Sequence, residues 1–241
     1  LQNQNIGKFS NVFSSLAVLQ NFLYFLIVKI FGFSFFWFRI LNNFIPHLFM
    51  IAGVYVFCYL IFDERVAFFT SVLMAIHPVI IEPVVWISAG TYPRYSAFMI
   101  WGIIFYILSL KKEKYFYKAI LMFALSVLSS EKGVVFPALL VLLWVCFGIF
   151  YKNWKKVSLY MGLPTLIMGI IYVGQLGNRL FTLKTDFYNK GGMVNPILQI
   201  PVAISSYIRL LFWPDKLTLY HSELNYGYVE FGIIILIFLI F

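Results

Sequence analysis

The sequence predicts an all-α fold: a polytopic transmembrane helical bundle accompanied by interfacial helices. The chain of 241 residues is 62% hydrophobic and only 11% charged, and its mean hydropathy is +0.90, values far from those of soluble domains. Several apolar runs approach the roughly 20 residues needed to cross a hydrocarbon core. Residues 100–110 and 133–150 are continuously apolar rather than alternating, which favours helices over strands.

Polar turns between the apolar runs define a topology. Polar residues interrupt positions 11–31, which we interpret as an interfacial helix. Pro46 should kink the first span or mark its true start. Residues 1–241 are interpreted as one transmembrane domain of a longer protein, truncated at both ends. Spans are predicted over residues 35–62, 66–76, 95–110, 115–130, 134–151 and 157–174, followed by a polar segment at 175–196, a lumenal or crossing helix at 196–213 and a last span from 229.

The net charge of +9 comes largely from short basic turns between apolar runs. If each run crosses once, residues 63–65, 111–118 and 152–156 share one side, which the positive-inside rule makes cytoplasmic. The polar stretches at 77–94, 129–133 and 175–196 then share the opposite face. This pattern argues against nucleic acid as a partner. The two cysteines, Cys58 and Cys146, lie in apolar runs and are interpreted as small apolar residues rather than a disulfide.

The stretch 77–94 gathers polar and aromatic side chains between two apolar runs, and ionisable groups at membrane depth are functional candidates. His77 and Glu82, each followed by a proline, are predicted to lie in a bent loop and face one cavity. There they orient a sugar hydroxyl, bind a phosphate or hold a general base; the alternative is that they bond chain ends freed by the prolines. Trp86 and Tyr92 either stack on a sugar or belong to an interfacial aromatic belt.

Arg94 and Lys132 are the predicted phosphate ligands of this face, because guanidinium and ammonium groups neutralise phosphate charge. The alternative for both is interfacial anchoring. Glu131 is a further candidate carboxylate, with a plain ion pair to Lys132 or a helix-end contact as its alternative. His47 is interpreted as a packing contact between helices. No metal or cofactor is predicted, because one His and one Glu lack a third ligand.

These motifs resemble membrane glycosyltransferases of the GT-C superfamily, in particular the protein O-mannosyltransferase-like branch that often carries tetratricopeptide repeats. The first motif is His77-Pro-x-x-x-Glu82-x-Val-x-Trp86-Ile-Ser, and the second is Leu128-Ser-Ser-Glu131-Lys-Gly-Val-Val-Phe-Pro137. The likeness continues in Asn43-x-x-x-His47 and in Trp213-Pro-Asp-Lys-Leu-x-x-Tyr220, so that it covers about residues 42–220.

The sequence departs from the family pattern at three places. Ser130 stands where the family has the Lys of Ser-Lys-Glu, and Lys132 is the substitute for its charge. Ala89-Gly90 stands where the family has a Gly-Arg pair, and Arg94 is the candidate substitute for the missing arginine. Residues 1–62 contain no Asp or Glu, so the family's catalytic acidic pair has no counterpart here. We expect that pair to precede residue 1; the other interpretation is an inactive protein.

The resemblance implies transfer of mannose or a related hexose from a polyprenyl-phosphate carrier to a protein or glycan hydroxyl on the non-cytoplasmic side, in a bacterial plasma membrane or the endoplasmic reticulum. Arg94, Lys132 and Arg209 would neutralise the phosphate as the sugar leaves. His77 and Glu82 would position donor or acceptor. Membrane lipids are the remaining partners. Two interpretations compete with this one. The first is a transporter or lipid flippase, and the second is a catalytically inactive membrane scaffold.

Overall fold

A computed structural model describes residues 17–149, 154–171, 174, 204, 207–208, 210–212 and 214. Residues 1–173 form one compact unit and residues 174–241 a second. Every regular element in the described part is helical, so the all-α prediction is confirmed. The predicted segments at 175–196, most of 196–213 and those from 229 onward lie outside the described residues. The helices are α1 (Val18–Phe31), α2 (Phe35–Trp37), α3 (Ile45–Ile61), α4 (Glu64–Ile76), α5 (Pro78–Val85), α6 (Thr91–Ser109), α7 (Lys114–Ser129), α8 (Phe136–Phe147) and α9 (Trp154–Val157).

The first predicted span is confirmed as a continuous helix of 27 residues, Phe35–Ile61. Between α2 and α3 it contains a π-helical segment, Phe38–Phe44. Pro46 explains this segment: proline has no N–H to donate and its ring collides with the carbonyl four residues earlier, here that of Asn42. The widened turn accommodates the proline, and the Ile45 N–H bonds to the Ile40 carbonyl instead.

A second π-helical segment before a proline follows α9. The π-helical segment Ser158–Gly162 ends two residues before Pro164, just as the first one ends two residues before Pro46. Helix then continues over residues 163–171, within the predicted span at 157–174. In both helices a proline therefore changes the hydrogen-bonding pattern without ending the helix.

Helices α4 and α5 form a pair bent by 59°. Helix α4 begins earlier than predicted because the Asp63 carboxylate accepts a hydrogen bond from the Val66 N–H at 2.8 Å and caps its first turn. His77 adopts the extended conformation that favours a following proline. The loop predicted from His77 onward is wrong: the chain forms α5, a 3₁₀ turn (Ile87–Gly90) and the first turn of α6. Pro78 suits the first helical position, where its missing N–H has no partner to lose.

The main core lies where α6, α7 and α8 pack together. Buried side chains from these three helices and Met161 form one apolar cluster. Gly102 of α6 is essential to its geometry, since a methyl group there would lie 2.8 Å from the Phe136 ring of α8. Helix α3 packs on the other side of α6, where the Trp101 indole donates a hydrogen bond to the Phe49 carbonyl at 3.0 Å.

Contacts at one end of these helices agree with the predicted alternation. The Lys156 ammonium forms an ion pair with the Glu113 carboxylate. The rings of Phe62 and Phe147 meet edge to face at 5.9 Å. The turn after α3, the turn before α7 and the start of α9 therefore lie at the same end. Lys114 and Lys118, predicted to lie in a loop, belong to α7 because the turn itself is shorter.

Among the described residues, one helix is long and apolar enough to cross a membrane, Phe35–Ile61, and the bent pair α4 and α5 adds a second if it counts as one span. Large apolar side chains also cover the outer surface of the packed helices. Examples are Phe69, Leu73 and Ile76 of α4, and Val145 of α8, which is 73% exposed.

The turn between α7 and α8 should be sensitive to a single methyl group. In Gly133→Ala, the new Cβ would lie 2.7 Å from the backbone of Ser126 and Val127, which cannot move aside like a side chain. We expect a loss of about 1–3 kcal/mol in the free energy of unfolding in detergent. Gly169→Ala is the matched control, since its Cβ meets open space; it should be neutral or slightly stabilising. Equal stability of the two variants would contradict the packing described.

Candidate functional site

The polar centre of the molecule is a buried arginine. Arg94, in the first turns of α6, is only 4% exposed. Its Nη1 donates to Gln20 Oε1 at 2.5 Å, and its Nη2 donates to the backbone carbonyl of Asn42 at 3.2 Å and to Asn42 Oδ1. No carboxylate in the described part of the chain pairs with it. The charge is therefore held by neutral oxygens from α1 and from the π-helical segment.

The proline-induced π-helical segment supplies the acceptor. Pro46 leaves the Asn42 carbonyl without its usual helical partner four residues later. The Arg94 guanidinium donates a hydrogen bond to that carbonyl. The irregular helix thereby gains a donor, and the buried cation gains an acceptor. Hydrogen bonds to a charged donor are worth about 1.5–3 kcal/mol each, which offsets part of the cost of burying the guanidinium.

Two asparagines connect this arginine to the end of α5. Asn43 Nδ2 donates to the carbonyls of Pro83 and Trp86, both at 2.7 Å. Asn42 Nδ2 donates to Asn43 Oδ1 and to the Ile87 carbonyl, also at 2.7 Å. The last carbonyls of a helix have no intrahelical partner. Side-chain amides satisfy them here and fix α5 and the 3₁₀ turn against the long helix.

Gly90 permits this close approach. A methyl group at Gly90 would lie 2.0 Å from Asn42 Nδ2 and 2.7 Å from the Asn42 carbonyl oxygen. Non-bonded atoms do not approach this closely, so only glycine allows the 3₁₀ turn to pack against Asn42. The Tyr24 hydroxyl adds a hydrogen bond from α1 to the Ile87 carbonyl at 3.3 Å.

The two motif segments meet at the surface beside this network. The Lys132 ammonium lies over the Tyr92 ring, 4.0 Å from its centroid, in a cation–π contact. Below it, Ser126 Oγ donates to the Tyr95 carbonyl at 3.1 Å. Tyr92 and Lys132, forty positions apart in sequence, are thus held together at one end of α6 and α7. The Lys132 side chain is exposed to solvent at this end.

The other predicted site residues are distributed around this end. His77 is 8% exposed and lies at the junction of α4 and α5, while Trp86 is 40% exposed. Glu82 lies in α5, and its side chain is outside the described part of the chain. Glu131 opens the 3₁₀ turn before α8, so it stands at a helix end as the alternative allowed, and it forms no ion pair with Lys132. Arg209 lies outside the described residues.

Arg94 differs most from its predicted role. A phosphate ligand was expected to face the surface, but the guanidinium points into the protein, with both terminal nitrogens engaged. Tyr92 and Arg94 are two residues apart on a helix and so point to different faces. The partners Gln20, Asn42 and Asn43 were not predicted as site residues. Gln20 and Asn42 are marked in the sequence by polarity within otherwise apolar helices, and Asn43 also belongs to the motif Asn43-x-x-x-His47 of the resemblance.

Comparison with known proteins adds no family: no family model matches the sequence, and no curated protein or solved structure is significantly similar to it. The fold of the described residues defines the class as an all-helical protein, in which one helix is long and apolar enough to cross a membrane and the bent pair of α4 and α5 adds a second if it counts as one span. The likeness to GT-C glycosyltransferases rests on the sequence motifs and stays a prediction.

Replacing Arg94 by lysine should destabilise the protein. Arg94→Lys keeps the charge but cannot bond Gln20 and Asn42 together, because an ammonium lacks the guanidinium fork. We expect a loss of about 1.5–3 kcal/mol in the free energy of unfolding. Arg65→Lys, at an exposed position of α4, is the matched control and should change stability by less than about 0.5 kcal/mol. A stable Arg94→Lys variant would show that the fork is dispensable.

Proposed function

We propose that this chain is the donor-side part of a membrane glycosyltransferase that transfers a hexose, mannose or a related sugar, from a polyprenyl phosphate to a protein or glycan hydroxyl. The observation that carries the proposal is the contact between Tyr92 and Lys132. It brings the start of α6, just after the first motif ends at Ser88, beside Lys132 of the second motif. A site built from both segments needs them side by side at one end of the helices.

The proposal includes a polytopic membrane location, with the site at the non-cytoplasmic face of a bacterial plasma membrane or the endoplasmic reticulum. The apolar outer surface of α3, α4 and α8 supports it, because large exposed apolar surfaces mark contact with lipid or another protein. The ends of the helices differ in charge: the end that carries the Lys156–Glu113 ion pair also carries the exposed Lys111 and Lys112. By the positive-inside rule that end is cytoplasmic.

Membrane sidedness can be measured by cysteine labelling. With Cys58 and Cys146 replaced by alanine, a single Lys132→Cys or Lys112→Cys substitution is introduced at an exposed position of either end. We expect a membrane-impermeant maleimide to label residue 132 from the non-cytoplasmic side and residue 112 only after permeabilisation. Labelling of both positions from the same side would contradict the proposed orientation.

Sugar transfer requires stabilisation of the negative charge that develops on the departing polyprenyl phosphate. The acceptor oxygen attacks the anomeric carbon, the bond from that carbon to the phosphate oxygen breaks, and the polyprenyl phosphate leaves with an added negative charge. Lys132 is the exposed cation that can neutralise it. Trp86 offers an indole face for the sugar. His77, Glu82 and Glu131 orient donor or acceptor, and a general base takes the acceptor proton.

Within this proposal Arg94 acts through other residues. Its hydrogen bonds to Gln20 and Asn42 hold the π-helical segment against the 3₁₀ turn, and Asn43 holds the end of α5. The segment carrying Glu82 and Trp86 is thereby fixed relative to α6. We therefore assign Arg94 as a positioning residue, and Arg209 remains a proposed phosphate ligand.

Transfer is tested with membranes containing the native-length protein and a radiolabelled polyprenyl-phosphate mannose. Lys132→Gln should lower the transfer rate about a hundredfold, the scale of losing one group that stabilises developing charge. Lys118→Gln is the matched control: its ammonium also lies over aromatic rings, those of Phe105 and Tyr115, but on α7 close to the opposite end. Equal rates for the two variants would remove Lys132 from the site. Movement of the labelled lipid between leaflets without transfer would instead favour a flippase.

A further inference from the structure

A groove runs along α8 from Pro137 to Trp144 and opens beside Trp154, toward the end of the helices opposite the candidate site. Its cavity of about 460 Å³ is bounded by Tyr106 of α6, by one side of α8 and by the start of the helix at Trp154. This volume lies within the range of about 300–1,000 Å³ that small-molecule sites occupy. The lining residues are Tyr106, Pro137, Leu140, Val141, Trp144, Trp154, Val157, Ser158 and Gly162.

The groove is apolar inside and aromatic at its mouth. Leu140 and Tyr106, at its floor, are 4% and 2% exposed, whereas Trp144 and Trp154 are 52% and 55% exposed. None of the lining residues carries a charge. Exposed tryptophans at a helix end are typical of the headgroup level of a membrane. The groove therefore offers a hydrocarbon-like interior that opens at the depth where lipid headgroups begin.

Positive charge flanks the mouth. Trp154, Val157 and Ser158 face the groove, so Lys155 lies at its edge, about a quarter turn away on the helix, and it is exposed. Among the described residues, no carboxylate forms an ion pair with Lys155. Asp63 caps α4, and Glu113 is paired with Lys156. Among the described residues that border the groove, Lys155 is thus an exposed lysine without an ion-pair partner.

We propose that this groove binds one glycerophospholipid with an anionic headgroup, an acyl chain lying between α8 and the helix from Trp154 and the phosphate against Lys155. Basic pockets between helices on the cytoplasmic side are suited to anionic lipids, which are enriched in that leaflet. The inference rests on the proposed membrane location and orientation, and it is independent of sugar transfer.

Headgroup recognition is tested on the native-length protein by native mass spectrometry after purification from nanodiscs containing equal phosphatidylglycerol and phosphatidylcholine with identical acyl chains. We expect one retained lipid per chain, enriched in phosphatidylglycerol. Lys155→Gln should reduce that enrichment about fivefold, since one lysine near a surface contributes about that factor. Lys114→Gln removes the same charge from α7, where its ammonium lies over Tyr115, and should leave the enrichment unchanged. Equal retention of both lipids, or equal effects of the two variants, would overturn headgroup recognition.

Occupancy of the groove is tested by filling it. A Cβ at Gly162 meets nothing closer than 3.9 Å, so Gly162→Phe places a ring in the groove without backbone strain. We expect it to lose the retained lipid while the protein stays folded. Gly169→Phe, on the same helix and also in open space, should retain lipid. Lipid retention by both variants would overturn the proposal. Unfolding of Gly162→Phe alone would also overturn it, because the groove would then be filled by the protein's own chain.

Discussion

The structure depends on how one buried charge is solvated. Arg94 has no carboxylate partner in the described part of the chain, and the effective cost of burying an ion is several kcal/mol. The protein meets this cost with a side-chain oxygen from Gln20 and with two oxygens of Asn42, one of which Pro46 has freed from its helix. An irregular helix is normally a weakness, but here it supplies the acceptor that the buried cation needs.

The same network determines where the irregular part of the chain lies. Asn42 and Asn43 bond the carbonyls that follow Pro83, at the point where α5 ends. Without these amides the freed carbonyls would need water or another partner, and a buried carbonyl left without one is costly. The bend between α4 and α5 and the 3₁₀ turn are therefore held from the side by the long helix. Gly90 makes the fit possible because no other residue leaves room for the Asn42 amide.

The sequence was informative about local structure and much less so about the site. Composition and apolar runs predicted helices, and the first span, 35–62, differs from the observed helix by one residue. Position 94 shows the limit of such reasoning: an arginine near a membrane surface has the same sequence signature whether it faces a ligand or the core. The distinction depends on Asn42 and Gln20, which lie 52 and 74 positions away. No local pattern encodes such a pairing. The loop predicted after His77 failed because Pro78 occupies a first helical position, which suits proline, and α5 continues through Pro83.

Assigning Arg94 to the interior changes what the proposed site can recognise. An arginine fork would select a phosphate by geometry, whereas the exposed cation here is Lys132, a flexible point charge that attracts anions without a strong geometric preference. Its contact with the Tyr92 ring orients it when no phosphate is bound. Selectivity for a lipid-linked sugar must then come from shape and apolar contact, to which Trp86 and Tyr92 contribute exposed aromatic surface. In the proposed site, charge would recruit the phosphate and the aromatic residues would discriminate the sugar, while the buried network holds the segments that carry them in place.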